Sequence, residues 1–146
     1  MDLIEELTWR GMVHQCTDEQ GLREHLASGA RRIYVGFDPT ADSLTIGNLV
    51  PIMLLRHVLR AGHTPVVVMG GGTGLIGDPS GKSDERQLLS RERVEANIAS
   101  QRRIFLNLLG SDVTIRNNLD WLGGLGYIEA LRDVGKYFSV NMMMCK

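Results

Sequence analysis

Two glycine-rich stretches gather side chains able to hold a ligand that is both anionic and amino-bearing. Residues 70–83 read GGGTGLIGDPSGKS directly after the apolar run PVVVM, and Asp78, Lys82 and Arg86 follow at four-residue spacing. Lys82 and Arg86 suit an anion such as a polyphosphate, more so if the next helix begins near Ser83 or Asp84 and adds its dipole. Asp78 suits an ammonium group instead. GTGLIG (Gly72–Gly77) also meets the G-x-G-x-x-G spacing of a dinucleotide-binding turn. In that motif the helix opens inside the glycines, and an acid about 20 positions on takes the ribose. Here Pro79 pushes Asp78 out of helical backbone, and Glu92 and Glu95 fall in a charged helical run rather than at a strand end. GDPSGKS (Gly77–Ser83) is one residue short of the Walker spacing and does not directly follow a strand. Glycines and a proline alone make a turn, but a plain turn does not account for Asp78, Lys82 and Arg86 together.

The second stretch is GFDPTADSLTIGNLVP, residues 36–51. Pro51 is harmless only in the first turn of a helix, so the spacing predicts a helix starting close to Gly47 and Asn48. Thr45, Gly47 and Asn48 then lie at its N-terminus, with Gly47 bare enough for a flat ring to approach. Taken singly, Thr45 or Asn48 is an ordinary cap and Asp38 an ordinary turn former before Pro39.

Alternating elements must position both stretches. Leu3, Ile4, Leu7 and Met12 or Val13 predict a short helix, and TDEQGLREHLAS a second one capped by Thr17. RRIYVGF reads as a strand, NLVPIMLLRHVLRAG as a helix closed by Gly62, and PVVVMG as a strand. DERQLLSRERVEANIASQRRIFLNLLG reads as a long helix closed by Gly110, VTIRNN as a strand and YIEALRDVG as a helix. Apolar strands with little in-out alternation, separated by helices, predict an α/β fold. It is the first half of a doubly wound, Rossmann-like parallel sheet covered on both faces, behind a short helical N-terminal preface. The loops at the carboxyl ends of its strands then share one crevice.

With 146 residues, the chain is one ordinary domain able to bury a core. A net charge of -1 gives no global reason to bind nucleic acid or an anionic membrane. Cys16 and Cys145, with no disulfide framework, and an acidic N-terminus unlike a signal peptide predict a cytoplasmic protein without a membrane span. FSVNMMMCK begins another amphipathic segment and stops uncapped, so residues 1–146 read as a truncated domain whose sheet edge and helix face further sequence would cover.

YVGFDPTADSLTIGNLVP, AGHTPVVVMGGGTGLIGDPSGKS and DWLGGLGYIEALRDVGKYFSVN together resemble the N-terminal part of the catalytic domain of bacterial tyrosyl-tRNA synthetases, which are class I aminoacyl-tRNA synthetases. Pro39, Thr40, Ala41, Asp42, Ser43, Leu44, Thr45, Ile46, Gly47 and Asn48 occupy the place of the HIGH signature. The resemblance implies attack of the tyrosine carboxylate on the α-phosphate of ATP, bound with Mg2+ as substrate, and transfer of tyrosine to tRNA(Tyr), with no other cofactor. By it, Tyr34 holds the substrate phenol, Thr73 and Asp78 its ammonium, and Asn118 lies nearby. Gly36, Asp38, Gly47 and Asn48 border the adenosine, while Thr40, Thr45, Lys82 and Arg86 face the phosphates. It also implies a homodimer with an interface near Tyr127–Met144, a KMSKS loop and tRNA-reading domains outside these residues, and a chain inactive by itself.

Thr45 and Asn48 stand where the signature has histidines, and none of His14, His25, His57 or His63 lies in either loop or at metal-ligand spacing. A hydroxyl is shorter than an imidazole and carries no charge. A binding module no longer catalytic, or a generic nucleotidyl-transfer enzyme without tyrosine preference, are the other readings the residues allow.

Overall fold

Parallel strands β1 (Arg32–Phe37), β2 (Thr64–Met69) and β3 (Thr114–Asn117) form a sheet in the order β1-β2-β3. The computed structural model describes residues 2–76 and 89–144. Its helices are α1 (Leu3–Trp9), α2 (Glu19–Ala27), α3 (Ile46–Arg60), α4 (Thr73–Ile76), α5 (Arg91–Leu109), α6 (Leu119–Leu122), α7 (Tyr127–Asp133) and α8 (Val140–Met144). The expected α/β architecture with a helical preface is present.

Register decides which side chains share a face. Val35 pairs with Val67 and Val67 with Ile115, while Phe37 pairs with Met69 and Met69 with Asn117. Phe37, Val67 and Met69 are buried under Ile52 and Leu55 of α3 and under Phe105 and Leu109 of α5. The Phe37 and Phe105 rings meet at 4.7 Å between centroids, tilted by 59°, a favourable non-stacked geometry. A second cluster joins Leu3 and Leu7 of α1 to Val58 of α3, with Leu26 and Ile33 against it, so the preface packs beside β1.

The opposite face differs from the expectation of two covered sides. Tyr34 is 72% exposed, Gly36 and Arg116 are exposed, and Val66 and Val68 are half-buried. β2 is apolar at every position from Pro65 to Met69, which hides the alternation that burial shows.

Helix ends correct four further expectations. Asp18, not Thr17, caps α2, its Oδ1 accepting from Gly21 N at 2.9 Å. The two residues are adjacent cap formers, and aspartate is the stronger. α5 opens at Arg91 behind a Ser90 cap, later than Ser83 or Asp84, so Lys82 and Arg86 precede its N-terminus rather than form it. α3 opens at Ile46, which places Pro51 in the second turn rather than the first. Its missing N–H leaves the Gly47 carbonyl without an i+4 partner. A turn of helix, α4, does form inside the glycine stretch. Gly62 (φ +83°) and Gly110 (φ +100°) stand just past α3 and α5 as expected, in backbone that favours glycine.

Candidate active site

The carboxyl edge of the sheet is extended by one rung on each side of β2. Gly70 N–H donates to Phe37 O at 2.8 Å, and Asn118 N–H to Met69 O at 2.9 Å. Asp38, Gly70 and Asn118, each the residue just past its strand, therefore lie abreast. The Asn118 side chain then ties the β2–α4 turn to β3. Its Oδ1 accepts from Gly72 N at 2.6 Å, and its Nδ2 donates to Thr73 Oγ1 at 3.1 Å. A Cβ on Gly70 would lie 2.7 Å from Thr73 Oγ1 and 2.8 Å from Asp38 Oδ1. Both oxygens thus converge over a position that only glycine leaves open. Asp38, Thr73 and Asn118 form one polar cluster at the mouth of the sheet.

Three amides of the glycine stretch are taken up within the protein. Gly72 N–H goes to Asn118, Gly74 N–H to Gly70 O at 2.7 Å and Leu75 N–H to Gly72 O at 3.2 Å. A dinucleotide turn keeps such amides for the pyrophosphate, so this geometry argues against that use, although α4 opens where the motif would have it. Neighbouring Asn117, which the sequence reading passed over, accepts from Leu119 N at 3.0 Å, and its amide fills the space a Cβ on Gly71 would need.

Tyr34 and Gly36 lie on the open face of β1, four and two residues before Asp38, and a Cβ on Gly36 would meet nothing within 4 Å. From β1 the chain passes through buried Pro39 and exposed Thr40, Ala41, Asp42 and Ser43 to Thr45, the N-cap of α3. Leu44 packs against the main core. Thr45 N–H and Thr45 Oγ1 both donate to Asn48 Oδ1 at 2.9 Å, and Asn48 N–H returns to Thr45 O at 3.0 Å. With its oxygen turned to the cap, the Asn48 amide presents its NH2 end away from Thr45. Ile46 is exposed, and the surface at Gly47 is open, since an added Cβ would find Thr45 Oγ1 no nearer than 3.6 Å.

Two further residues bear on this loop and were missed by sequence reasoning. Asn97 Nδ2 donates to Pro39 O at 2.9 Å and Gln101 Nε2 to Ala41 O at 2.8 Å, both from the buried face of α5. Their only sequence signal is their place on the stripe Val94, Asn97, Gln101, Phe105 and Leu109. Asp78, Lys82 and Arg86 lie outside the described residues. Among the described residues no His, Cys, Asp and Glu cluster is placed to hold a metal ion, and no helix is long and apolar enough to cross a membrane.

A three-stranded parallel sheet with a polar cluster at its carboxyl edge has the arrangement in which open α/β sheets place a ligand crevice. Residues 27–146 match the family model of class I tRNA synthetases (W and Y). The chain belongs to that family. Among its relatives, it is 51% identical to the tyrosine–tRNA ligase of Rhodopirellula baltica over 99% of this chain and 34% of that protein. It is 54% identical to the tyrosine–tRNA ligase of Geobacillus stearothermophilus over all of this chain and 36% of that protein. The chain thus spans about a third of the length of these relatives. Its fold also resembles a C-terminally truncated mitochondrial tyrosyl-tRNA synthetase of Aspergillus nidulans, with TM-score 0.81, 25% identity, and coverage of 99% of this chain and 45% of that one.

Proposed function

We propose that this chain forms the first wall of the active site of a tyrosine–tRNA ligase, a cytoplasmic enzyme that joins tyrosine to the adenylyl group of ATP, bound with Mg2+, with release of pyrophosphate, and then transfers it to tRNA(Tyr) with release of AMP. The observation that carries the reading is the convergence of Asp38, Thr73 and Asn118 at the carboxyl edge of a sheet whose open face carries Tyr34.

In this reading the Tyr34 hydroxyl meets the substrate phenol. Thr73, oriented by Asn118, receives the substrate ammonium together with Asp78. Gly36 and Gly47 leave bare backbone on which adenosine can lie, bordered by Asp38 and Asn48. The reaction needs no general acid or base: the tyrosine carboxylate attacks the α-phosphate and pyrophosphate leaves. Rate then comes from alignment and from donors aimed at charge growing on the phosphates. Thr40, Lys82 and Arg86 are assigned to that charge. Thr45 is assigned to it through Asn48, because its hydroxyl hydrogen is already committed to the Asn48 oxygen and the outward NH2 is the available donor.

The tRNA contacts and the KMSKS loop are assigned to sequence outside these residues, residues 1–146 to a truncated synthetase domain, and the exposed apolar side chains of α7 and α8 to a homodimer interface. The test is tyrosine-dependent ATP–pyrophosphate exchange by the full product of the gene. Exchange with tyrosine and little with phenylalanine is expected. Failure to exchange while still binding tyrosine would favour a non-catalytic module, and equal use of phenylalanine would favour the generic enzyme. The 146-residue chain alone is expected to be inactive.

A further inference from the structure

We propose that Asn97 and Gln101 are positioning residues that grip the backbone on both sides of Thr40 and so set the height of the phosphate-facing loop for adenylate formation, an inference that rests on the ligase reading above.

α5 buries one stripe against the sheet and α3, and Val94, Phe105 and Leu109 fill it with apolar volume. Asn97 and Gln101, each 1% exposed, interrupt that stripe with amides. Their NH2 ends donate to Pro39 O and Ala41 O, the carbonyls immediately before and after Thr40. Because the partner is a carbonyl in both cases, only the NH2 end of each amide can face it. The opposite ends, Asn97 Oδ1 and Gln101 Oε1, are buried without a hydrogen-bond partner among the described residues. Such orphans cost stability that an aliphatic side chain would not. Core packing therefore explains neither residue, whereas holding an otherwise exposed loop explains both. Thr40, Ala41, Asp42 and Ser43 all face solvent, and Pro39 alone is buried. Without the two amides, this run is anchored among the described residues only by Pro39, Leu44 and the Thr45 cap. The tether acts at the loop and not at the Asp38–Thr73–Asn118 cluster, so its loss should affect phosphate chemistry and spare tyrosine.

The test uses Gln101→Met and Asn97→Leu in the full gene product, with two readouts. In ATP–pyrophosphate exchange, each variant should lose roughly ten- to a hundredfold in kcat, the penalty for slight misplacement of reacting groups, with KM for tyrosine unchanged and thermal stability unchanged or raised. In limited proteolysis of the folded protein, the run from Thr40 to Leu44 should lose protection from cleavage in both variants. Wild-type kcat in a folded variant, or a loss confined to KM for tyrosine, would overturn the proposal, as would unchanged loop protection. Should Asn97→Leu not fold, Gln101→Met alone decides. If the wild-type protein shows no exchange activity, it is the ligase reading that fails, and loop protection still reports whether the amides tether the loop.

Discussion

At Gly70 a single missing carbon lets two side-chain oxygens of the candidate site converge, and that closeness fixes what a substitution there would do. A Cβ added at this position would press on Thr73 Oγ1 at 2.7 Å and on Asp38 Oδ1 at 2.8 Å. Gly70→Ala must push one or both aside, at a cost of about 1–3 kcal/mol for overpacking. Because Thr73 is proposed to face tyrosine and Asp38 the adenosine, much of that cost should appear as weaker binding of tyrosine where Thr73 yields and of ATP where Asp38 does. Calorimetric titration of the full gene product beside its thermal unfolding would divide the cost between affinity and fold. Tyr34 is the opposite case. Its ring is largely exposed, so Tyr34→Phe should leave stability within about 0.5 kcal/mol of wild type. Losing the hydroxyl should raise KM for tyrosine roughly two- to tenfold, the worth of one net hydrogen bond. Unchanged kinetics in that variant would remove Tyr34 from the site.

Among elements, the tie between α1 and α3 makes a pH prediction. Glu6 on α1 accepts from Arg10 Nε at 2.7 Å and lies 3.8 Å from His57 Nδ1 on α3. The Arg10 hydrogen bond, with attraction to Arg10, His57 and Arg60, holds the Glu6 carboxyl below its ordinary value of 4.5 against a smaller opposing effect of burial. A lowered carboxylate value contributes stability that is present above 4.5 and is lost as pH falls through the lowered value. The unfolding midpoint should therefore fall more steeply with acid in wild type than in Glu6→Gln, as chemical denaturation across that range would show. The elements themselves were largely legible. The three strands, the glycines closing α3 and α5, and the apolar stripes all declare themselves through periodicity, which packing then satisfies. Less legible was anything decided by a choice between neighbours or by tertiary contact. Thr17 and Asp18 are both cap formers, and Ser90 captures the start of α5 from several earlier polar residues. α4 forms because Gly70 and Gly72 carbonyls lie within reach of the next amides, which no spacing rule announces. The site followed the same division. Asp38, Thr45, Gly47 and Asn48 stand out by type and place, whereas Thr73 and Asn118 are singled out only by the family resemblance. Asn97 and Gln101 stand out by neither, because apart from their spacing with Val94, Phe105 and Leu109 a polar residue in a long charged helix gives no sign that its face turns inward.

Across the whole molecule, apolar side chains are unevenly distributed between inside and outside. The core under β1 to β3 is closed, yet the last part of the described chain exposes Trp121, Tyr127, Ile128, Leu131, Tyr137 and Phe138. Scattered apolar residues on a surface need no explanation, but a run along successive helices is a candidate contact surface, for which a second copy is the proposed occupant. β1 and β3 also each keep one edge without a strand partner among the described residues, a second route to association. The two routes respond differently to a charge placed on α7. Ile128 is 71% exposed, so Ile128→Glu should leave the fold within about 0.5 kcal/mol of wild type while burying a carboxylate in any interface built on that helix, where an unpaired charge is strongly unfavourable. Sedimentation velocity of the full gene product over a range of concentrations should show a dimer that Ile128→Glu shifts towards monomer. Association unaffected by the substitution, but abolished by a lysine or proline placed on the outer edge of β3, would assign it to the sheet edge instead and withdraw α7 from the proposed homodimer surface.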